Sequence, residues 1–131
     1  MTNKTSLEMV KEFHEAFEHP VNDVPLIEDI RIAELRCSLI QEELDELYTA
    51  LVRQDKTEVF DALLDLQYVL DGAFLALGFH MFKDSGIDEV HRSNMSKLGK
   101  DGNPIYREDG KILKGENYFK PDLEKILNGD S

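Results

Sequence analysis

The sequence predicts an all-α fold: four helices packed as a bundle, then a short β-hairpin or loop segment and a small final helix. Three observations predict it. Apolar residues recur every three to four positions through most of the first 98 residues. Capping and breaking residues stand where those periodic stretches begin and end. The chain then changes character after Leu98.

The first helix is expected from about Ser6 to Glu18, with Ser6 as cap and Leu7, Val10, Phe13 and Phe17 on one face. His19-Pro20 ends it, because proline pushes the preceding residue out of the helical region. Pro20 to Ile27 reads as an ordered connector. A long second helix follows from about Asp29 to Arg53, its stripe formed by Ile32, Leu35, Leu39, Ile40, Leu44, Leu47 and Leu51. After the Gln54-Asp55-Lys56 turn, Thr57 caps a third helix that reaches about Leu77. Beyond Asp65 that helix is apolar nearly all round, which predicts a central, buried position and packing against a second copy. A fourth helix from about Gly86 to Leu98 completes the bundle. Asp109-Gly110 lies between Ile105-Tyr106-Arg107 and Lys111-Ile112-Leu113, a hairpin signal. Pro121 to Leu127 forms the last short helix.

A length of 131 residues suits one domain, expected as 1–131, with 1–98 the helical bundle and 99–131 a hairpin and tail that closes over substrate. No apolar run reaches the ~20 residues of a membrane span, and Met1 to Ser6 lacks the apolar core of a secretory signal. Cys37 is the sole cysteine, so no internal disulfide forms, and a reducing cytoplasm is expected. The net charge of −12 argues against nonspecific nucleic-acid binding. Residues 1–90 hold 7 basic and 20 acidic side chains; residues 91–125 hold 8 and 6. An acidic body with a basic tail suits cations and phosphates together.

Glu42, Glu43 and Glu46 point to roughly one side of the second helix, Glu43 and Glu46 being ~60° apart. On the third helix, Glu58, Asp61 and Asp65 fall within an arc of ~60°. Antiparallel helices joined by a short turn bring the two sets face to face. Asp61 and Asp65 stand in an apolar run, and no lysine or arginine series at i+4 neutralises them. Buried carboxylates without partners are expensive, and oxygen-only ligands favour Mg²⁺, with Mn²⁺ as a substitute. Di-iron chemistry is excluded, since none of His14, His19, His80 or His91 follows a glutamate by three positions.

These residues resemble the all-α nucleoside triphosphate pyrophosphohydrolases, which include MazG-like proteins and dimeric dUTPases. Glu43-Leu44-Asp45-Glu46 matches the first half of the family pattern, Glu-x-x-Glu, with Glu42 before it. For the second half, Glu-x-x-Asp, Glu58-Val59-Phe60-Asp61 fits literally, but the apolar run after Asp65 resembles the stretch beyond the family aspartate. That register puts Ala62 at the glutamate position, so Asp61 and Asp65 are the favoured ligands and Glu58 the reserve. Phe13 to Phe17, His19-Pro20, Val90 to Lys97, the Lys114 to Tyr118 loop and Pro121-Asp122-Leu123 resemble a bacterial and phage MazG-like subgroup.

The resemblance implies Mg²⁺-dependent hydrolysis of a (d)NTP to monophosphate and diphosphate, by a homodimer or a tetramer, in nucleotide-pool cleaning. Glu43, Glu46, Asp61 and Asp65 would hold metal, and Glu42 or Glu46 would take a proton from water. Arg92, Asn94 and Lys97, with Lys111, Lys114 and Tyr118, would bind substrate; Phe13, His14 and Phe17 would line a base pocket. Two other readings are a phosphoribosyl-ATP pyrophosphohydrolase and a non-catalytic nucleotide-binding helical dimer. Asp71 interrupts the apolar run on another side from Asp65, and the sequence gives it no role.

Overall fold

The computed structural model describes residues 3–129, and it is helical, with no strand among them. The chain forms two compact units that part between Met81 and Phe82.

The first unit holds α1 (Ser6–Ala16), α2 (Ile30–Arg53) and α3 (Lys56–Leu77), then a 3₁₀ turn over His80–Phe82 that leaves the unit. Thr5, rather than Ser6, caps α1: its hydroxyl accepts from Glu8 N–H while the Glu8 carboxylate accepts from Thr5 N–H. Ser6 is used differently. Its hydroxyl donates to Asp71 at 2.7 Å, and Gln67 donates to the same carboxylate at 3.1 Å. Asp71 is fully buried, and through these bonds it ties the start of α1 to α3. α1 ends at Ala16, before the proline, because Glu18 turns left-handed at φ 58°.

Asp29 caps α2 through Arg31 and Ile32 N–H. Gln54, left-handed at φ 55°, ends that helix, and Asp55 at once caps α3 by accepting from Glu58 N–H, in place of the Thr57 cap expected from the sequence. This two-residue link makes α2 and α3 an antiparallel pair, and α1 packs on α3 as well. The 22–26 connector runs past the far end of α3. Asn22 N–H donates to Leu75 O, Leu26 N–H to Leu77 O, and the Asn22 side-chain amide to Ala76 O at 2.7 Å. These donors satisfy carbonyls that a helix end leaves open. Gly78 closes the helix at φ +81°, and a Cβ there would sit 1.9 Å from Val24 O, so only glycine fits.

The core of this unit lies around the second half of α3, where Asp71, Gly72, Ala73, Leu75 and Ala76 are buried along with Val10, His14 and Arg36; Ala50 and Ala62 are buried nearer the α2–α3 turn. α3 is central only in that half. Its first half leaves Phe60 64% exposed, with Leu63 and Leu64 also open.

The second unit holds α4 (Lys83–Met95) and α5 (Leu123–Leu127), which pack together. By this division α4 is grouped with the tail. The expected hairpin reduces to one antiparallel bridge, Tyr106 to Ile112, supported by Arg107 N–H to Lys111 O at 2.8 Å and Leu113 N–H to Ile105 O at 2.8 Å. Strands this short and exposed do not extend into a ladder without a packed face. Ser93 donates to Phe119 O, and Phe119 N–H donates to the Ser96 hydroxyl, fastening the tail to α4. No single helix among the described residues is long and apolar enough to cross a membrane.

Candidate metal centre

The α2–α3 pair brings three carboxylates together. One oxygen each from Glu43, Glu46 and Asp65 lies within 4.8 Å of the others, two ligand atoms coming from α2 and one from α3. Glu43 Oε2 is buried and has no hydrogen-bond partner. Burial pushes the Glu43 carboxyl up to about 7, helped by the charge and hydrogen bond of Glu46 and then by the charges of Asp65 and Glu42. Burial also raises Asp65, with Asp61 and Glu46 adding repulsion. Three converging acids with a buried, unused oxygen are electrostatically unsatisfied by protein alone. A hard divalent cation that prefers oxygen ligands fits this donor set.

Of the expected ligands, the structure brings Glu43, Glu46 and Asp65 together and leaves Asp61 and Glu58 one step aside. Asp61 is exposed, contrary to a buried place within the apolar run, because that half of α3 faces outward. It lines a cleft of about 290 Å³ together with Asp45, Glu46, Arg53, Asp55 and Glu58. Glu46 belongs to both the trio and the cleft. Ala62, which occupies the glutamate position of the family pattern in the Asp65 register, is buried and supplies no ligand. Glu42 is exposed beside the trio.

The aromatic group lies one turn from the acids. Phe13 stacks on Phe17 with centroids 4.4 Å apart, and Tyr68 meets Phe13 edge-on at 5.7 Å. Tyr68 follows Asp65 by three positions, which places it about 4.5 Å further along the same side of α3. In the sequence Tyr68 reads only as part of an apolar run; its spacing from Asp65 is the signal that marks it out. His14 is buried, and its Nδ1–H donates to Pro20 O at 2.9 Å. Burial lowers its pKa, opposed by that hydrogen bond and aided by Arg36 and His19, so the ring is neutral with Nε2 as acceptor.

The basic residues expected to bind phosphate belong to the second unit. Arg92 donates to Glu89 at 3.0 Å and lies 4.4 Å over the Phe119 ring, beside a cleft of about 450 Å³ between α4 and α5. Asn94 is exposed. Lys97 O accepts from Gly115 N–H at 2.8 Å, which brings Lys97 near Lys114, and the Lys114 ammonium lies 4.8 Å over the Tyr118 ring. Lys111 is exposed in the turn after the Tyr106 bridge. Lys97, Lys114 and Tyr118 are thus gathered, whereas Arg92 is already engaged.

The Glu-x-x-Glu turn facing an aspartate agrees with the resemblance to all-α nucleoside triphosphate pyrophosphohydrolases drawn from the sequence. Residues 10–94 match the family model of phosphoribosyl-ATP pyrophosphohydrolase, and the chain belongs to that family within the MazG-like all-α superfamily. It is 29% identical over 131 aligned residues to an uncharacterized protein of Acanthamoeba polyphaga mimivirus, covering 95% of this chain and 48% of that protein. The chain thus spans about half the length of the curated relative it matches. A solved structure from Exiguobacterium sp. 255-15, assigned as an NTP pyrophosphohydrolase, is 24% identical with a TM-score of 0.34, over 98% of this chain and 94% of that one.

Proposed function

We propose that the chain hydrolyses a (deoxy)nucleoside triphosphate to a monophosphate and diphosphate, with Mg²⁺ or Mn²⁺ held by Glu43, Glu46 and Asp65. The observation that carries this reading is the trio itself: three acid oxygens within 4.8 Å, one of them from a half-buried carboxylate whose Oε2 is covered and unused. A bound divalent cation would supply neutralisation of triphosphate charge and acidification of a water. Glu43, half-buried in the helix pair, turns one shielded oxygen toward the trio. Glu46 faces both the trio and the acidic cleft, and Asp61 and Glu58 offer further carboxylates there. Glu42 or Glu46 accepts the proton that water loses. Phe13 and Tyr68 present aromatic faces for a base one turn from Asp65. Within the second unit, Lys97, Lys114 and Tyr118 are the proposed ligands for phosphate or sugar oxygens.

Self-association belongs to the same reading. The outward side chains of Leu44, Tyr48, Leu51, Phe60, Leu63 and Leu64 leave an apolar surface on α2 and α3 that a second copy would cover.

The test is a panel of nucleoside and deoxynucleoside triphosphates with Mg²⁺, scored for diphosphate release. Release of orthophosphate instead would refute the assigned reaction. The family match over residues 10–94 favours a second reading, hydrolysis of phosphoribosyl-ATP. Including that compound decides between the two: a kcat/KM far above that for free triphosphates selects it.

A further inference from the structure

Arg36 is a buried cation that the proposed reaction does not use. It is 3% exposed, and its Nε and Nη2 have no hydrogen-bond partner. Those two nitrogens share one edge of the guanidinium, where their N–H bonds run parallel as a fork. Leaving such a fork empty in the interior is costly, so the pattern points to an acceptor pair that arrives from outside.

The surroundings indicate where that pair comes from. A Cβ on Gly72 would lie 3.1 Å from Arg36 Nη1 and 3.0 Å from His14 Nε2, so the absence of a side chain there makes room for both. Along α3, Asp65, Tyr68 and Gly72 share one side, the last about 10.5 Å from the first. Along α2, Glu43 and Arg36 repeat the same seven-residue separation. The order from one end is therefore carboxylates, aromatic ring, guanidinium fork. A nucleotide has the same order: phosphates, then the stacking face of the base, then the hydrogen-bonding edge of the base.

Resting on the triphosphate reading above, we propose that Arg36 reads the base, its fork taking two adjacent acceptors on one edge. Guanine offers O6 and N7 in that arrangement, the pairing that arginine makes most often with a base. Cytosine offers O2 and N3. Adenine, thymine and uracil present no two adjacent acceptors on any edge and cannot fill the fork. Neutral His14, held by Pro20 O, lies on the Nη1 side of the guanidinium and adds no second positive charge there. Because both fork atoms are covered, the base enters along the face of Phe13 by displacing His19, whose ring borders both Phe13 and His14.

The experiment compares kcat/KM for dGTP, dCTP, dATP and dTTP in the wild type, Arg36→Gln and Arg36→Lys, with melting curves on each. The wild type should favour dGTP and dCTP by roughly 5- to 150-fold, the range of one bidentate base contact. Arg36→Gln should remove that preference by lowering the two favoured substrates and leaving dATP and dTTP within a few fold. Equal wild-type rates on all four overturn the proposal, even should both variants fail to fold. A uniform loss across the bases also overturns it, since that would mark a phosphate contact or a structural role. Calorimetry with α,β-imido analogues of dGTP and dATP separates the two layers. Preferential binding of the guanine analogue without diphosphate release from dGTP would sink the reaction and keep the base reader. Turnover with no preference would do the reverse.

Discussion

Two levels of the α2–α3 pair, seven residues apart, are built from the same parts and end in opposite charge. At one level Glu43, Glu46 and Asp65 converge; at the other, Arg36 lies buried beside His14 and Gly72. Each level holds a buried polar group with unused hydrogen-bonding atoms, acceptor in one and donors in the other. Had the two groups been a structural ion pair, they would have met. Their separation teaches that neither is satisfied by the other, and that a ligand with cation-seeking phosphates at one end and acceptor atoms at the other suits both.

The largest effects should come from the acidic level. Asp65→Asn and Glu46→Gln should each lower kcat by roughly 100-fold or more while circular dichroism stays near wild type. Near-normal turnover in both variants would remove these residues from the chemistry.

The same level predicts a pH dependence whose sign is fixed. The Glu43 and Asp65 pKa values are raised in the folded state, Glu43 to about 7, so between their unfolded values and that point the native state binds more protons than the unfolded chain. The contribution of these two groups to the stability of the metal-free protein is therefore full below about pH 4 and declines as pH rises toward 7, by at most about 1.4 kcal/mol per pH unit for each such proton. Mg²⁺ should flatten this decline, because the cation takes the place of the proton. Melting temperatures from pH 4 to 8, with chelator and with Mg²⁺, check it against Glu43→Gln, which cancels the other carboxylates; identical profiles for the two proteins in chelator would contradict the burial of Glu43. Glu43→Gln should reduce the decline to the part that Asp65 contributes, raise the metal-free Tm near pH 7 by a few degrees and weaken the Mg²⁺ effect.

How far the sequence discloses these levels differs between them. Helix positions are legible because caps and apolar stripes are local: Asp29, the 54–55 turn and Gly78 act within a few residues of the ends they define. Glu43, Glu46 and Asp65 are legible because several acids share helix faces with no compensating cations. Asp61 is misplaced by the sequence, since composition says that a helix half is apolar but not whether this chain alone covers it. Arg36 escapes sequence reasoning altogether. It stands in the middle of the α2 apolar stripe, near Ile32, Leu39 and Leu47, yet a single arginine in a helix ordinarily reads as surface. The hairpin is overread for a related reason: turn residues specify a reversal, while strands require a packed face that 105–113 lacks.

Smaller effects should come from the region between the two levels. Tyr68→Ala and Phe13→Ala should raise KM for triphosphates by roughly 5- to 10-fold with kcat less affected, as expected on loss of stacking that is equal in ground and transition states. A kcat-only effect would move these rings out of the binding step. Smallest is Lys114→Ala, expected to change KM or kcat about 3-fold, since an exposed lysine contributes little in water. Unchanged kinetics would return that loop to plain surface.

Titration calorimetry with Mn²⁺, on the wild type and Asp65→Asn, meets the central matter head on. Saturable uptake near one ion or more per chain, weakened at least about 10-fold in the variant, is the expected outcome. No heat in the wild type, even with a non-hydrolysable triphosphate present, or equal affinity in both proteins, would mean that these facing acids are not a cation site.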